Sequence, residues 1–185
     1  MRGVVPLTFA LMCLPGPLLL NAQDPRFSSK LAPYVASPVR VVDLMLDIAK
    51  VKPGETVIDL GCGDGRILVA AAGKYKAKAI GIEISPKLVS EAKARIAKEG
   101  LIEQVQVIQG DLLQADLTGA DVVTIYLDTA VNTQLRPRLE KYLKPGARVV
   151  SHDFQVPGWK PTRVDKSEGK QGHFIYLYEM PPIKQ

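Results

Sequence analysis

The sequence predicts an α/β domain built on a mostly parallel sheet, and three observations carry that reading. Short apolar segments alternate with segments of helical periodicity between Val39 and Ser151, a pattern that packs as parallel strands joined by helices. At residues 57–69, VIDLGCGDGRILV, a strand runs directly into a glycine-rich loop and then a helix. That arrangement brings backbone N–H groups and a helix N-terminus up to a ligand. Near the C-terminus, Thr162–Lys166 and His173–Glu179 flank Gly169-Lys170-Gln171-Gly172 and read as a hairpin, which adds an antiparallel edge.

Each element has its own signal. Met1–Ala22 carries Arg2, an apolar run from Val4 to Leu20, and Ala22 before Gln23-Asp24-Pro25, the pattern of a secretory signal peptide. An uncleaved membrane anchor is the alternative, although Pro6, Pro15, Gly16 and Pro17 interrupt a run that barely reaches the ~17–20 residues needed to span. The expected location is therefore exported or membrane-associated, with a cytoplasm-facing domain as the other choice. Residues 23–37 form a proline-containing linker, and residues 38–185 the folded domain. Ser37-Pro38 reads as N-cap and first residue of a helix, with Val39, Val42, Met45, Leu46 and Ala49 on its apolar face and Lys52-Pro53-Gly54 beyond its end.

The first strand spans Thr56–Asp59, and the helix after the glycine loop spans Arg66–Ala72. Ala79–Ile84 is the second strand. Ser85-Pro86 repeats the cap signal for a helix over Lys87–Glu99 that Gly100 closes. Gln104–Gln109 and Ala120–Leu127 are the third and fourth strands. Val131–Tyr142 is a helix, with Pro137 marking a kink or a later start. Arg148–Ser151 is the fifth strand.

Composition narrows the partners. A chain of 185 residues that is 46% hydrophobic supports one core. Beyond Arg2 there are 23 basic and 19 acidic residues, and no Lys/Arg cluster interleaves with aromatics, so no nucleic-acid partner is expected. Cys13 lies in the leader and Cys62 in the glycine loop, which leaves no internal disulfide framework. Cys62 reads as a small loop residue rather than a nucleophile, because no base flanks it. No metal is expected.

Glycine spacing decides which ligand the loop takes. A dinucleotide site places its third glycine at G-x-G-x-x-G. Counting from Gly61 that position is Arg66, and from Gly63 it is Leu68. Asp59, just before the loop, would also repel a pyrophosphate; it suits a ligand with a positive group. S-adenosylmethionine (SAM) has an α-ammonium and a sulfonium. D-x-G-x-G-x-G over Asp59–Gly65 thus resembles motif I of the class I SAM-dependent methyltransferases, the other reading being an ordinary structural turn.

That resemblance implies a seven-stranded sheet of order 3-2-1-4-5-7-6 with helices on both faces, and SAM as cofactor. Ligands of open α/β sheets bind beyond the strands' carboxyl ends. The expected cofactor-binding set is Asp59, the loop residues Gly61, Cys62, Gly63 and Gly65, then Glu83 with Ile84, where an acid can accept both ribose hydroxyls. Asp111 resembles the family's acceptor for the adenine amino group, with Leu112 in apolar contact; a turn-capping role is the alternative for Asp111. Asp116 reads as a turn residue.

The fourth strand ends in Thr124-Ile125-Tyr126-Leu127-Asp128, without the Asn/Asp-Pro-Pro-Tyr of many DNA and protein-amide methyltransferases. The stretch from Val122 to Phe154, together with APYVASP at residues 32–38, resembles the mitochondrial lysine methyltransferases of the ATP synthase c-subunit and the adenine nucleotide translocase, and their bacterial relatives. More distantly it is similar to the non-SET histone lysine methyltransferases. The resemblance implies a lysine ε-amine on a protein, membrane-associated in those cases, as acceptor. Tyr126, Phe154 and Trp159 are candidates for an aromatic slot, and Tyr126, His152 and Asp153 are the catalytic candidates. His152 and Asp153 either accept a proton or form a hydrogen-bonded strand end. Competing readings are a small-molecule methyltransferase, a SAM-binding module without activity and a NAD-dependent enzyme.

Overall fold

The computed structural model describes residues 34–168 and 172–185. The expected leader and linker up to residue 33 lie outside them. Four helices and nine strands occur among the described residues: α1 (Val39–Ile48), β1 (Thr56–Leu60), α2 (Arg66–Gly73), β2 (Lys78–Glu83), α3 (Pro86–Lys98), β3 (Val105–Gln109), β4 (Val122–Ile125), α4 (Thr129–Tyr142), β5 (Arg148–His152), β6 (Trp159–Lys160), β7 (Arg163–Lys166), β8 (Phe174–Glu179) and β9 (Ile183–Lys184). The large sheet runs β3-β2-β1-β4-β5-β8-β7, and β6 pairs with β9 separately. Numbered by its own strands alone, the large sheet has the expected order 3-2-1-4-5-7-6. The first five strands are parallel, and β8 runs antiparallel to both β5 and β7.

Strand alternation splits the core in two. Val57 packs with α1, α2 and α3 on one face of the sheet. Its neighbour Ile58, with Leu60, packs with Val131, Leu135 and Leu139 of α4 on the other. Both faces are covered, which is why β1 and β4 are buried almost throughout. The two buried polar side chains on these strands, Asp59 and Thr124, pair with each other.

Some boundaries differ from the sequence reading. Ser37 does not cap α1. Pro38 holds the N-cap position with no side-chain bond, because the Ser37 hydroxyl is engaged elsewhere, with His152. Helix α4 begins at Thr129, since Asp128 caps it by accepting from Val131 N at 2.9 Å, and Pro137 sits inside it on the exposed side without ending it. Strand β4 is shorter than expected at both ends and β5 extends one residue further, to His152. The β6–β9 ladder has two residues per strand, too short for an alternation signal. Ser85 caps α3 as expected. No helix among the described residues is long and apolar enough to cross a membrane.

Candidate active site

A cleft opens at the carboxyl ends of β1, β2 and β4, lined by Tyr34–Ser37, the glycine loop, Glu83–Ser85, Gly110–Leu112 and Tyr126–Leu127. All the expected cofactor residues line it except Gly65. Gly65 caps α2 at φ +77 and lies where a Cβ would come 3.0 Å from the Ala92 Cβ of α3. There it lets α2 and α3 pack closely.

Two buried carboxylates define the floor. Asp59 is 3% exposed and accepts from Thr124 Oγ1 at 2.7 Å through Oδ1, which leaves Oδ2 for a ligand. Burial pushes its pKa up to about 7, with Glu83 and Asp64 adding repulsion and the Thr124 bond opposing. A buried acid this reluctant to ionise is a site prepared for a cation. Glu83 bridges two loops, accepting from Gly63 N at 3.0 Å and from Ser85 N at 2.8 Å. A carboxylate has about four lone-pair positions, so room remains for two hydroxyls.

The glycine loop fits close approach. Gly63 has φ +53, and a Cβ there would fall 2.4 Å from the Tyr34 ring, so only glycine leaves space between loop and ring. Cys62 is buried, and its Sγ occupies the space a Cβ on Gly81 would fill, at 2.5 Å. Burial and the nearby acids push its thiol pKa well up, the opposite of an activated nucleophile. Asp111 lines the cleft and also caps the turn Leu112–Gln114 by accepting from Leu113 N at 2.9 Å, the turn-capping reading of the sequence. Asp116 accepts from Thr118 N at 2.9 Å, as a turn residue does. Buried acids, a side-chain-free loop and apolar Ile84 and Leu112 together fit SAM. These residues would hold it by its ammonium, ribose and adenine.

The strap Tyr34–Ser37, read in the sequence as the end of a linker, lines the cleft. Arg66 ties it down, donating from Nη1 to Ser37 O at 2.7 Å while gripping Asp64 at 2.9 and 2.7 Å. Arg95 of α3 reaches the same carboxylate at 2.7 Å. Burial alone would raise Asp64, but the two guanidiniums outweigh it and hold its pKa below the usual range.

The far end of the cleft is aromatic. Tyr126 lines it and stacks on His152, with ring centroids 3.7 Å apart. Phe154 follows at 6.3 Å from Tyr126 and is half-exposed. His152 itself is fully buried, its Nδ1 is 2.9 Å from Ser37 Oγ, and burial pushes its pKa down to about 4. It therefore stands behind Tyr126, not at the cleft surface. Asp153 accepts from Phe174 N at 2.9 Å and lies 2.8 Å from His173 Nδ1. Trp159 is not part of the slot: it is fully buried on β6, packs against Tyr178 and donates to Glu140 at 2.7 Å. Aromatic character alone cannot separate a slot residue from a core residue. Asn132, Thr124 and His173 went unread; Thr124 had a signal, a polar residue within the apolar VVTIY.

The family model for the ANTKMT methyltransferase domain matches residues 59–163, more than half of the chain. The chain belongs to this methyltransferase family. A protein-lysine N-methyltransferase of Saccharolobus islandicus (strain REY15A) is 48% identical over 79% of this chain and 92% of its own. The mouse (Mus musculus) adenine nucleotide translocase lysine N-methyltransferase is 36% identical over 71% of this chain, which spans only 57% of that enzyme. Among solved structures, one described as an RNA methyltransferase from Salinibacter ruber, in complex with S-adenosyl-L-homocysteine, matches at TM-score 0.76 and 44% identity over 80% of this chain and 94% of that one. This methyltransferase domain uses SAM as its cofactor.

Proposed function

We propose that this methyltransferase transfers the methyl group of SAM to the ε-amine of a lysine in a protein. One observation carries the reading: Tyr126, which lines the cleft, has the Phe154 ring 6.3 Å away and the Asp153 carboxylate beside its hydroxyl. Aromatic faces and a carboxylate together attract an ammonium and its methylated products. The names of the archaeal and mouse relatives support it.

When bound, the cofactor supplies an electrophilic methyl on a good leaving group. The protein's task is then to position the amine, exclude water and remove a proton. Asp59 and Glu83 would fix the cofactor from below, and Tyr126 would wall the channel through which the lysine enters. Burial and the Asp153 charge both raise the Tyr126 pKa, so it stays a neutral wall with a hydroxyl. The apolar segment Met1–Ala22 adds the proposal that the enzyme works on or across a membrane.

Incubation with tritiated SAM and a membrane extract tests the reading, with hydrolysis of the labelled band to free amino acids. Methyllysine is expected. Label in nuclease-sensitive material would replace lysine by RNA, the substrate class in the Salinibacter description. Label only in a soluble metabolite would make this a small-molecule enzyme. Tyr126→Ala is expected to lower kcat far more than SAM affinity, because the residue acts on the acceptor.

A further inference from the structure

His152 and His173 are the chain's two histidines, and their rings meet edge to face with centroids 4.8 Å apart. Their environments differ. His152 is sealed in: fully buried, stacked beneath Tyr126 and joined to Ser37. Its Nε2 makes no hydrogen bond and points toward Asp153, with Oδ2 at 3.4 Å. His173 opens β8 and keeps a fifth of its side chain exposed, at 20%. Its Nδ1 lies 2.8 Å from Asp153 Oδ2. An ionised carboxylate only accepts, so that contact places a proton on Nδ1; in the neutral ring the lone pair is then on Nε2.

Asp153 is aimed at this task. Its backbone φ is +58, a left-handed turn that Asp tolerates better than most residues, and Phe174 N holds its other oxygen at 2.9 Å. The carboxylate thus stands between the Tyr126 hydroxyl, His152 and His173. Asp153 and His152, at the end of β5, are in contact with His173, and Lys166 of β7 holds its Nζ over the adjacent Phe174 ring at 5.1 Å.

We infer that His173 Nε2 is the proton acceptor for the incoming amine, with Asp153 and His152 as positioning residues that fix its tautomer and ring. This rests on the lysine reading above. A lysine ammonium, with an ordinary pKa of ~10.4, must lose a proton before it attacks. The N–H bond breaks, its proton passes to Nε2, and the electron pair stays on nitrogen. The resulting imidazolium is balanced by Asp153. That pair forms the C–N bond with the methyl as the C–S electrons return to sulfur, and His173 then returns its proton to water. Of the two histidines, His152 is sealed in and His173 keeps access to the surface.

The test uses the full chain, tritiated SAM and the lysine-bearing band labelled by the wild type. His173→Gln is expected to lose about 100-fold in kcat at about pH 7.5 with unchanged SAM affinity. The deficit should shrink roughly tenfold per pH unit towards pH 10, as the lysine ionises unaided. Exogenous imidazole should restore rate to His173→Ala, which a purely structural role does not allow. Equal rates for His173→Gln and wild type overturn the inference, as does a deficit constant across pH. The ligand atoms of His152, Asp153 and His173 also lie within 4.8 Å of one another. Wild-type activity lost on chelation and restored by Zn²⁺ would therefore overturn the inference in favour of a metal site. A wild type that labels no lysine overturns both this and the lysine reading; label with His173→Gln unimpaired overturns this one alone.

Discussion

Asp59 shows how one residue is made unstable for a purpose. Taking a carboxylate out of water costs free energy unless a cation joins it, and the sheet buries Asp59 with one neutral donor, Thr124. The sign follows from its pKa, raised from 3.8 to about 7. Between those values the folded state binds more protons than the unfolded chain, so Asp59 makes the cofactor-free protein less stable as pH rises through that window. Asp59→Asn keeps the Thr124 bond and removes the charge. It is expected to raise the stability of the free protein at about pH 8 by about 1 kcal/mol and to cut SAM affinity at least about tenfold. Wild-type affinity should climb with pH up to about 7 and then level off. Calorimetric titrations across pH check both, and an Asn variant that binds SAM like the wild type would sink the assignment.

At the scale of elements, the strap Tyr34–Ser37 matters more than its length implies. Two bonds hold it, Arg66 to Ser37 O and Ser37 Oγ to His152 Nδ1. One leads to the cofactor loop and the other to the acceptor end, so the strap spans both halves of the cleft. The segment after β5 is pinned similarly: Asn132 of α4 donates to Phe154 O and Gln155 O at 3.3 and 3.2 Å, and Val156 N donates to Tyr178 Oη at 3.0 Å. Arg66→Gln removes the charge-assisted grip on the strap. Amide exchange at Val35–Ser37 should accelerate, and SAM affinity should fall about tenfold, with little change in Tm. Unchanged exchange at the strap would show that Arg66 does not hold it.

Across the whole molecule, the two apolar clusters among the described residues are built from Val41 onward. A chain starting at Gln23 is therefore expected to fold, stay soluble and bind SAM like the full chain. Light scattering and calorimetry check this; aggregation of the short chain beside a well-behaved full chain in detergent would make the leader part of the fold. The antiparallel β8, inserted between β5 and β7, is what carries His173 to Asp153. A parallel edge strand in that place would open at the opposite end of the sheet.

The sequence by itself determined the elements and the cofactor half of the site. Strand, glycine loop and acid at a strand end are local signals, because a parallel sheet delivers each strand's carboxyl end to one edge whatever its neighbours do. Asp59, Gly63, Glu83 and Asp111 were legible for that reason. Only the tertiary structure decided the acceptor half. Ser37, Asn132 and His173 are far in sequence from the residues they touch, and no periodicity records which side chains a strand order will bring together. The same holds for roles among like residues. Trp159 and Tyr126 are both aromatic, and His152 and His173 are the same side chain. Burial, settled only when the layers pack, encloses Trp159 and His152 completely and leaves Tyr126 and His173 partly exposed.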